Sequence, residues 1–383
     1  MSHRTLTTDV VVVGAGPAGT AAAICCAQAG LDVTILEREA FPRDRPGETL
    51  HPGVEVLLRR LGVLAAVSSA GFLRHEGICV RWEGTSRFAA YGADRSGLWL
   101  GYQAWRADLD GILLARACEL GASRHQPCRA VRPLVARGRV CGVETSQGRV
   151  LARLVVDAAG AQHWLARQRA IGLVRRSPRL VARYGYCLMA GAKARACGSA
   201  DDRERRSGDS QIGASPTDVP APAPILAADE DGWTWIAQVT PRLYTWTSLP
   251  LHARRTDPGR APHALRGLEP HGQTRGADLS WRALADPAGP GYVAVGDAAA
   301  VLDPSSSHGV LKALLSGEAA ADLAVKVLRQ PAYEAQAIEH YTARVMGLFE
   351  TDVSELRRLY ARLPHPPSWA LEAGTVGGLG SRA

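Results

Sequence analysis

Apolar positions along this chain follow three rhythms. Val10 to Val13 form a short, wholly apolar run, as a parallel strand buried on both faces requires. A helical pattern starts a few residues later, with alanine and isoleucine on its packing face, and Gly30 stands where that helix would be capped. A second apolar run, Val33 to Leu36, predicts the next strand and ends at Glu37. "WRADLDGILLARACELGA" reads as an arginine opening an amphipathic helix, and "VVDAAGAQHWLAR" as a strand ending in D-x-x-G. "LKALLSGEAAADLAVKVL" and, from residue 333, "YEAQAIEHYTARVMGLFETDVSELRRLYARL" carry long helical periods. The third rhythm is alternation. "EGICVRWEG", "SGLWLGYQAW", "VARYGYCLMAG" and "GWTWIAQVTPRLYTWTSL" predict strands of one sheet with a buried face.

Between these segments the pattern lapses. Residues 197–224 are polar, then rich in Pro, Ala and Ser, and are expected to be a mobile surface insertion. Residues 251–278, rich in Arg, His, Pro and Gly, read as loops around one short helix. The final glycine-rich tail should fray.

Composition narrows the class. The 383 residues are 46% hydrophobic and 21% charged, enough for one large domain or two interleaved ones. No run of about 18 apolar residues occurs, so no membrane interaction is expected. The first residues lack the long apolar stretch and cleavage site of a signal peptide, so a cytoplasmic protein is expected. Eight cysteines contain no C-x-x-C pair and read as reduced, mostly buried thiols; no metal site is expected. The net charge of +8 comes almost wholly from arginine, the only lysines being Lys193, Lys312 and Lys326. The arginines are scattered, which argues against nucleic acid and for a solvated surface with a few phosphate-binding side chains. An acidic protein partner is the alternative.

Two stretches carry chemistry. Gly14, Gly16 and Gly19 form G-x-G-x-x-G between a strand and a helix, with Glu37 at the end of the following strand. Such glycines let backbone approach a pyrophosphate, and Glu37 can accept from ribose hydroxyls. "VGDAAAVLDPSSSHGV", residues 295–310, is a strand, a tight loop of small side chains and a helix N-terminus, a setting that holds anionic or polar ligand atoms on backbone N–H groups.

With "RPGETL", the arginine-led helix and the D-x-x-G strand, these motifs resemble in order the FAD-binding fold shared by aromatic hydroxylases, flavin-dependent halogenases and geranylgeranyl reductases. The resemblance implies an α/β fold: a Rossmann-like FAD-binding domain of aromatic hydroxylase type (1–75, 106–172 and 285–330), an interleaved antiparallel-sheet substrate domain (76–105 and 173–284), and a C-terminal helical segment and tail (331–383). It implies that Gly14, Gly16, Pro17, Ala18, Gly19, Glu37 and Arg38 bind the ADP half. Arg106 and Asp297 would reach the diphosphate and ribityl chain. Arg45, Pro46, Gly47 and Glu48 would line the flavin side, and Gly309 and Val310 would hold the pyrimidine edge. Val131, Gly160, Gly296 and Pro304 complete the cofactor set. Glu48, His51, Trp235, Gln238, Ser307 and His308 are the pocket candidates, with Glu48 or His308 a general base for an indole N–H.

Within that superfamily, tryptophan halogenases place a substrate-domain lysine in the first third of the chain and a glutamate in the loop matching "DPSSSHG". Here no lysine precedes Lys193, and Ser306 stands at the glutamate position. Their W-x-W-x-I-P signature is half present: Trp233, Trp235 and Ile236 stand, and Ala237-Gln238 replaces the proline. The aromatic-rich sheet, with Trp82, Trp99, Trp105, Trp246, Tyr102 and Tyr244 besides, suits stacking against an indole or phenol. The combination is most similar to flavoproteins that mature tryptophylquinone-cofactor enzymes, the lysine and glycine oxidase type. That resemblance implies a monooxygenase. Flavin is reduced by NAD(P)H or a separate reductase, O₂ adds to give a flavin hydroperoxide, and oxygen passes to a tryptophan side chain in a protein or peptide. A small-molecule aromatic hydroxylase, a halogenase-like enzyme and a non-catalytic flavin-holding assembly factor are the alternatives.

Overall fold

The computed structural model describes residues 5–43, 45, 47–82, 85–189, 222–251, 265, 267–306 and 308–371. Eight α-helices occur among them: α1 (Pro17–Gln28), α2 (Val54–Arg60), α3 (Leu64–Ser69), α4 (Arg106–Glu119), α5 (Trp164–Arg169), α6 (Gly309–Arg329), α7 (Glu334–Tyr360) and α8 (Ser368–Leu371). The surface insertion up to residue 221, the tail from 372, Pro46 and Ser307 lie outside the described residues.

The apolar runs form the parallel centre of one sheet. Ser123–His125, Val33–Leu36, Thr5–Val13 and Gly148–Asp157 lie side by side in that order. The last of these is shared by two neighbours along its length. Its C-terminal end pairs in parallel with Tyr292–Ala294, while its N-terminal half pairs antiparallel with Arg139–Thr145 of the hairpin Ala130–Ala136/Arg139–Thr145. Val10, Val11 and Val12 are fully buried between helices on one face and the hairpin side on the other.

Helices α1 and α6 cross at nearly backbone contact. A methyl group added to Gly317 would lie 2.4 Å from the Ala18 carbonyl oxygen, so small residues on both helices set the crossing. This contact brings the N-terminus of α6 beside the glycine loop that opens α1.

The alternating segments form a seven-stranded sheet in the order Leu268–Asp278, Val181–Met189, Leu243–Pro250, Gly232–Thr240, Ile225–Ala228, Gly77–Trp82 and Thr85–Ala90. Two expectations change here. Residues 268–278, read as loop, are an eleven-residue edge strand. Most of its side chains are exposed, so no apolar alternation marks it. "SGLWLGYQAW" does not join this sheet. Gly97–Leu98 pairs only with Ala93–Asp94, and Gly101–Ala104 sits between Glu48–Leu50 and Leu73–His75 in a small separate sheet.

Helix α7 is no appendage. Phe349, Val353, Leu356 and Tyr360 share a core with Trp233, Trp235 and Trp281, so the helix backs the seven-stranded sheet. The seven described cysteines are free thiols, and burial pushes Cys25 and Cys26 up to about 12. Among the described residues no helix is long and apolar enough to cross a membrane.

Candidate active site

The three glycines of the loop serve two different ends. Gly14 adopts φ +104°, and a Cβ there would lie 2.4 Å from the Ala158 carbonyl oxygen. A Cβ on Gly19 would lie 2.1 Å from the Gly14 oxygen. Both positions need hydrogen for packing. Gly16, at the N-cap of α1, is extended (φ −78°, ψ 179°), and a Cβ there would meet nothing nearer than Arg43 Nη2 at 3.9 Å. Its free side is a cavity of about 1540 Å³. No side chain caps α1, so its first N–H groups are open to an anion there.

Glu37 faces the protein rather than the cavity. Its Oε2 accepts from Ala15 N and Arg43 Nη1, both at 2.9 Å, and its Oε1 accepts from Glu39 N at 2.9 Å. At 2% exposure it braces the loop, with three donors already on its carboxylate. Arg43, which the sequence reading passed over, does the joining. Its Nη2 donates to Asp110 Oδ2 at 2.6 Å and to the Ala15 carbonyl at 3.1 Å while the side chain lines the cavity. Its only sequence signal is an arginine six positions after the strand-end glutamate.

Arg106 opens α4 as expected, but its donors are engaged. Nη1 donates to Glu48 at 3.0 Å and Nε to Asp110 at 2.9 Å. Burial raises the Glu48 carboxyl above its ordinary range, against the pull of Arg106. Asp297 behaves alike: burial raises it, with Arg106 and Arg282 opposing. Both carboxylates line the cavity, Glu48 half-buried and Asp297 exposed toward it. No donor among the described residues lies within hydrogen-bond distance of Asp297, so it is available to a ligand.

A support absent from the sequence reading lies under the Gly296–Asp297 turn. His163, at φ 49°, has Nε2 2.9 Å from Arg282 Nε and Nδ1 2.9 Å from the Ala298 carbonyl. Arginine only donates, so Nε2 accepts and Nδ1 carries the proton to Ala298. Burial, and the nearby Arg282, Arg167 and Arg175, hold this imidazole below its ordinary value, in agreement with the neutral ring. Asp157 of D-x-x-G accepts from Ala159 N at 3.0 Å and Leu165 N at 2.9 Å, fixing the chain that presents Gly160.

At the far end, Trp235 lines the cavity and donates to Thr49 Oγ1 at 3.1 Å, which in turn donates to Gln103 at 2.7 Å. Tyr184, Thr245 and Thr247 share this wall. His308 is the N-cap of α6, and with Gly309 and Val310 it lines the cavity; no side chain caps this helix either. His51 stands behind it, its ring 5.4 Å from that of His308 and 5.0 Å from Tyr91, outside the lining.

The cavity brings together Gly16, Pro17, Ala18, Arg38, Arg45, Gly47, Glu48, Arg106, Gly160, Trp235, Gly296, Asp297, Pro304, His308, Gly309 and Val310. It does not include Gln238, whose Nε2 donates to the Pro241 carbonyl at 3.1 Å. Three residues beyond Trp235, it falls on the opposite face of the strand. Val131 is also outside, 48% exposed on the Ala130–Ala136 strand at the sheet edge. Of the aromatic residues singled out in the sheet segments, Trp235 alone among the tryptophans lines the cavity. Trp233 and Trp246 are core, and Trp99 is 45% exposed.

The residues present fit FAD. A Cβ at Gly160 or Gly309 would meet no protein atom within 4 Å, so both leave room for a ligand. Two uncapped helix N-termini, Arg38, Arg45 and Arg106 bracket the space, which suits a diphosphate.

This fold and cavity define a flavin-dependent oxidoreductase. The chain belongs to the family described as an FAD binding domain, which matches residues 7–187. A menaquinone reductase from Mycolicibacterium smegmatis is 30% identical over 329 residues, 82% of this chain and 76% of that protein. A tryptophan 2-halogenase from Chondromyces crocatus is 26% identical over 374 residues, 89% of this chain and 66% of that protein. The myxobacterial chondrochloren halogenase has the same fold, with a TM-score of 0.78 at 22% identity over 97% of this chain and 87% of that one.

Proposed function

We propose that this chain is an FAD-dependent monooxygenase acting on an aromatic ring, and that the ring is a tryptophan side chain carried on a protein or peptide during quinone-cofactor maturation. The observation that carries this reading is one continuous cavity. It joins the anion-binding ends of α1 and α6 to a wall where Trp235 is fixed by Thr49. Bound FAD would supply the two-electron chemistry that activates O₂, with electrons from NAD(P)H or a separate reductase. The protein's part is to hold the phosphates at Gly16 and the helix ends, and to flank the ring with Trp235 and Tyr184. Burial holds His308 below its ordinary value, neutral at pH 7 and able to accept a ring proton. Glu48 is the second candidate, tied to Arg106. The polypeptide-borne substrate rests on the resemblance and on the +8 charge, which suits an acidic partner.

Halogenation is the second reading, favoured by the 26% identity to a tryptophan 2-halogenase. Against it, Lys312, the one lysine among the described residues of the cavity wall, is paired with Asp352 at 2.8 Å. Oxygen uptake tests catalysis itself. The purified protein with NAD(P)H or reduced flavin should consume O₂ faster when the precursor polypeptide is added. Equal rates would point to a flavin-holding assembly factor.

A further inference from the structure

Helix α7 walls the cavity and is pinned to the cofactor-side loops at several heights. Tyr341 Oη donates to the Ala294 carbonyl at 2.7 Å, just before the Gly296–Asp297 turn. Lys312 of α6 pairs with Asp352 of α7. At the C-terminal end, Tyr360 Oη donates to Asp303 Oδ2 at 2.9 Å. Asp303 opens the Asp-Pro stretch that leads to His308 and Gly309, and it lines the cavity at 3% exposure.

The Asp303 carboxylate is a filled hub. Oδ2 accepts from Tyr360 and from Trp281 Nε1 at 2.7 Å; Oδ1 accepts from Ser305 N at 3.1 Å and Ser305 Oγ at 2.5 Å. An ionised carboxylate offers about four acceptor sites, so every one is used. Tyr360 is itself fully buried and accepts from Trp233 Nε1 at 3.0 Å. Trp233 lies two residues from Trp235 on the same face of the same strand. Burial, then the Asp303 charge, raises the Tyr360 phenol well above its ordinary value, so it stays a donor.

We infer that Tyr360 is a positioning residue: its one hydroxyl joins the aromatic wall at Trp233–Trp235 to the Asp303–Ser305 turn ahead of α6, and so fixes the separation between substrate side and cofactor side. The joint lies wholly within the protein. What its loop holds rests on the FAD reading above.

Tyr360→Phe tests it. This change keeps the ring contacts with Trp281 (5.4 Å) and Trp369 (5.7 Å) and removes only the hydroxyl. Glu334→Gln serves as the comparison, because it breaks the Arg139 pair at the other end of α7. Hydrogen exchange of the full chain, followed by mass spectrometry without added FAD, should show amides of 303–312 exchanging roughly tenfold faster in Tyr360→Phe, with Thr5–Val13 unchanged. Glu334→Gln should leave 303–312 as in the wild type. With FAD, Tyr360→Phe should shift the bound-flavin spectrum and weaken FAD binding, by roughly tenfold. Unchanged exchange at 303–312, or an equal rise throughout the chain, overturns the inference. A wild-type protein that takes up no FAD would count against the cofactor reading and leave the exchange result to decide the joint.

Discussion

Arg43 and Asp110, sixty-seven positions apart, meet at 2.6 Å beneath the glycine loop, and the same guanidinium holds Glu37 at 2.9 Å. One cation thus ties the end of the second strand, the turn at Ala15 and helix α4. Both ends of each pair are under a tenth exposed. Arg43→Met should therefore strip Glu37 of its paired guanidinium and leave Asp110 with Arg106 alone, lowering stability by about 3–5 kcal/mol. Urea unfolding of the wild type and variant measures this. A change under about 1 kcal/mol would mean that the pairs are screened as at a surface.

The glycines separate folding from binding. Gly14→Ala forces a side chain into φ +104° and against the Ala158 oxygen at 2.4 Å, so a poorly folded protein is expected. Gly16→Ala has an ordinary backbone and 3.9 Å of clearance. It should melt within a few degrees of the wild type yet retain FAD poorly, because its methyl group occupies ligand space. Thermal unfolding and flavin absorbance after gel filtration read the two effects separately.

Asp157 gives the pH dependence a sign. Burial pushes its carboxyl up from 3.8 to about 6, against its two backbone donors. Between those values the folded chain keeps a proton that the unfolded chain releases. Its contribution therefore falls as pH rises through that window and is level above it. Asp157→Asn loses one good acceptor and is less stable at low pH. The wild-type advantage should narrow by roughly 3 kcal/mol across the window. A gap that widens with rising pH would reverse the assignment.

Trp235 and Gln238, expected together in the pocket and parted by the two faces of their strand, can be checked together. Trp235→Phe removes the bond to Thr49 and should lower stability by about 1 kcal/mol and disturb the bound-flavin spectrum. Gln238→Ala, on the opposite face, should leave the spectrum unchanged. Equal spectral effects would place both side chains on the cavity.

What was legible in the sequence follows from burial. Val10 to Val13, Val33 to Leu36 and the α1 start read correctly because a strand buried on both faces and a helix that needs small residues leave little choice of side chain. The cavity residues at Gly16, Gly160 and Gly309 were legible because only backbone without a side chain leaves that space. Leu268–Asp278 was hidden because an exposed edge strand needs no apolar face. Arg43, His163 and Tyr360 were hidden because their partners, Asp110, Arg282 and Asp303, are distant in the chain, and a single arginine, histidine or tyrosine carries no local period. Gln238 was misplaced by proximity in sequence to Trp235, where strand parity decides.

The central claim is oxygenation of an aromatic ring carried on a polypeptide. Its most direct test is mass spectrometry of a tryptophan-containing precursor polypeptide incubated with the protein, reduced FAD, isotopically labelled O₂ and bromide. The account predicts one or two labelled oxygens on a tryptophan residue, none on the Trp→Phe precursor, and no bromine isotope pair. Bromine on the ring, a product without labelled oxygen, or rapid hydroxylation of a free small aromatic beside an unmodified polypeptide would contradict it.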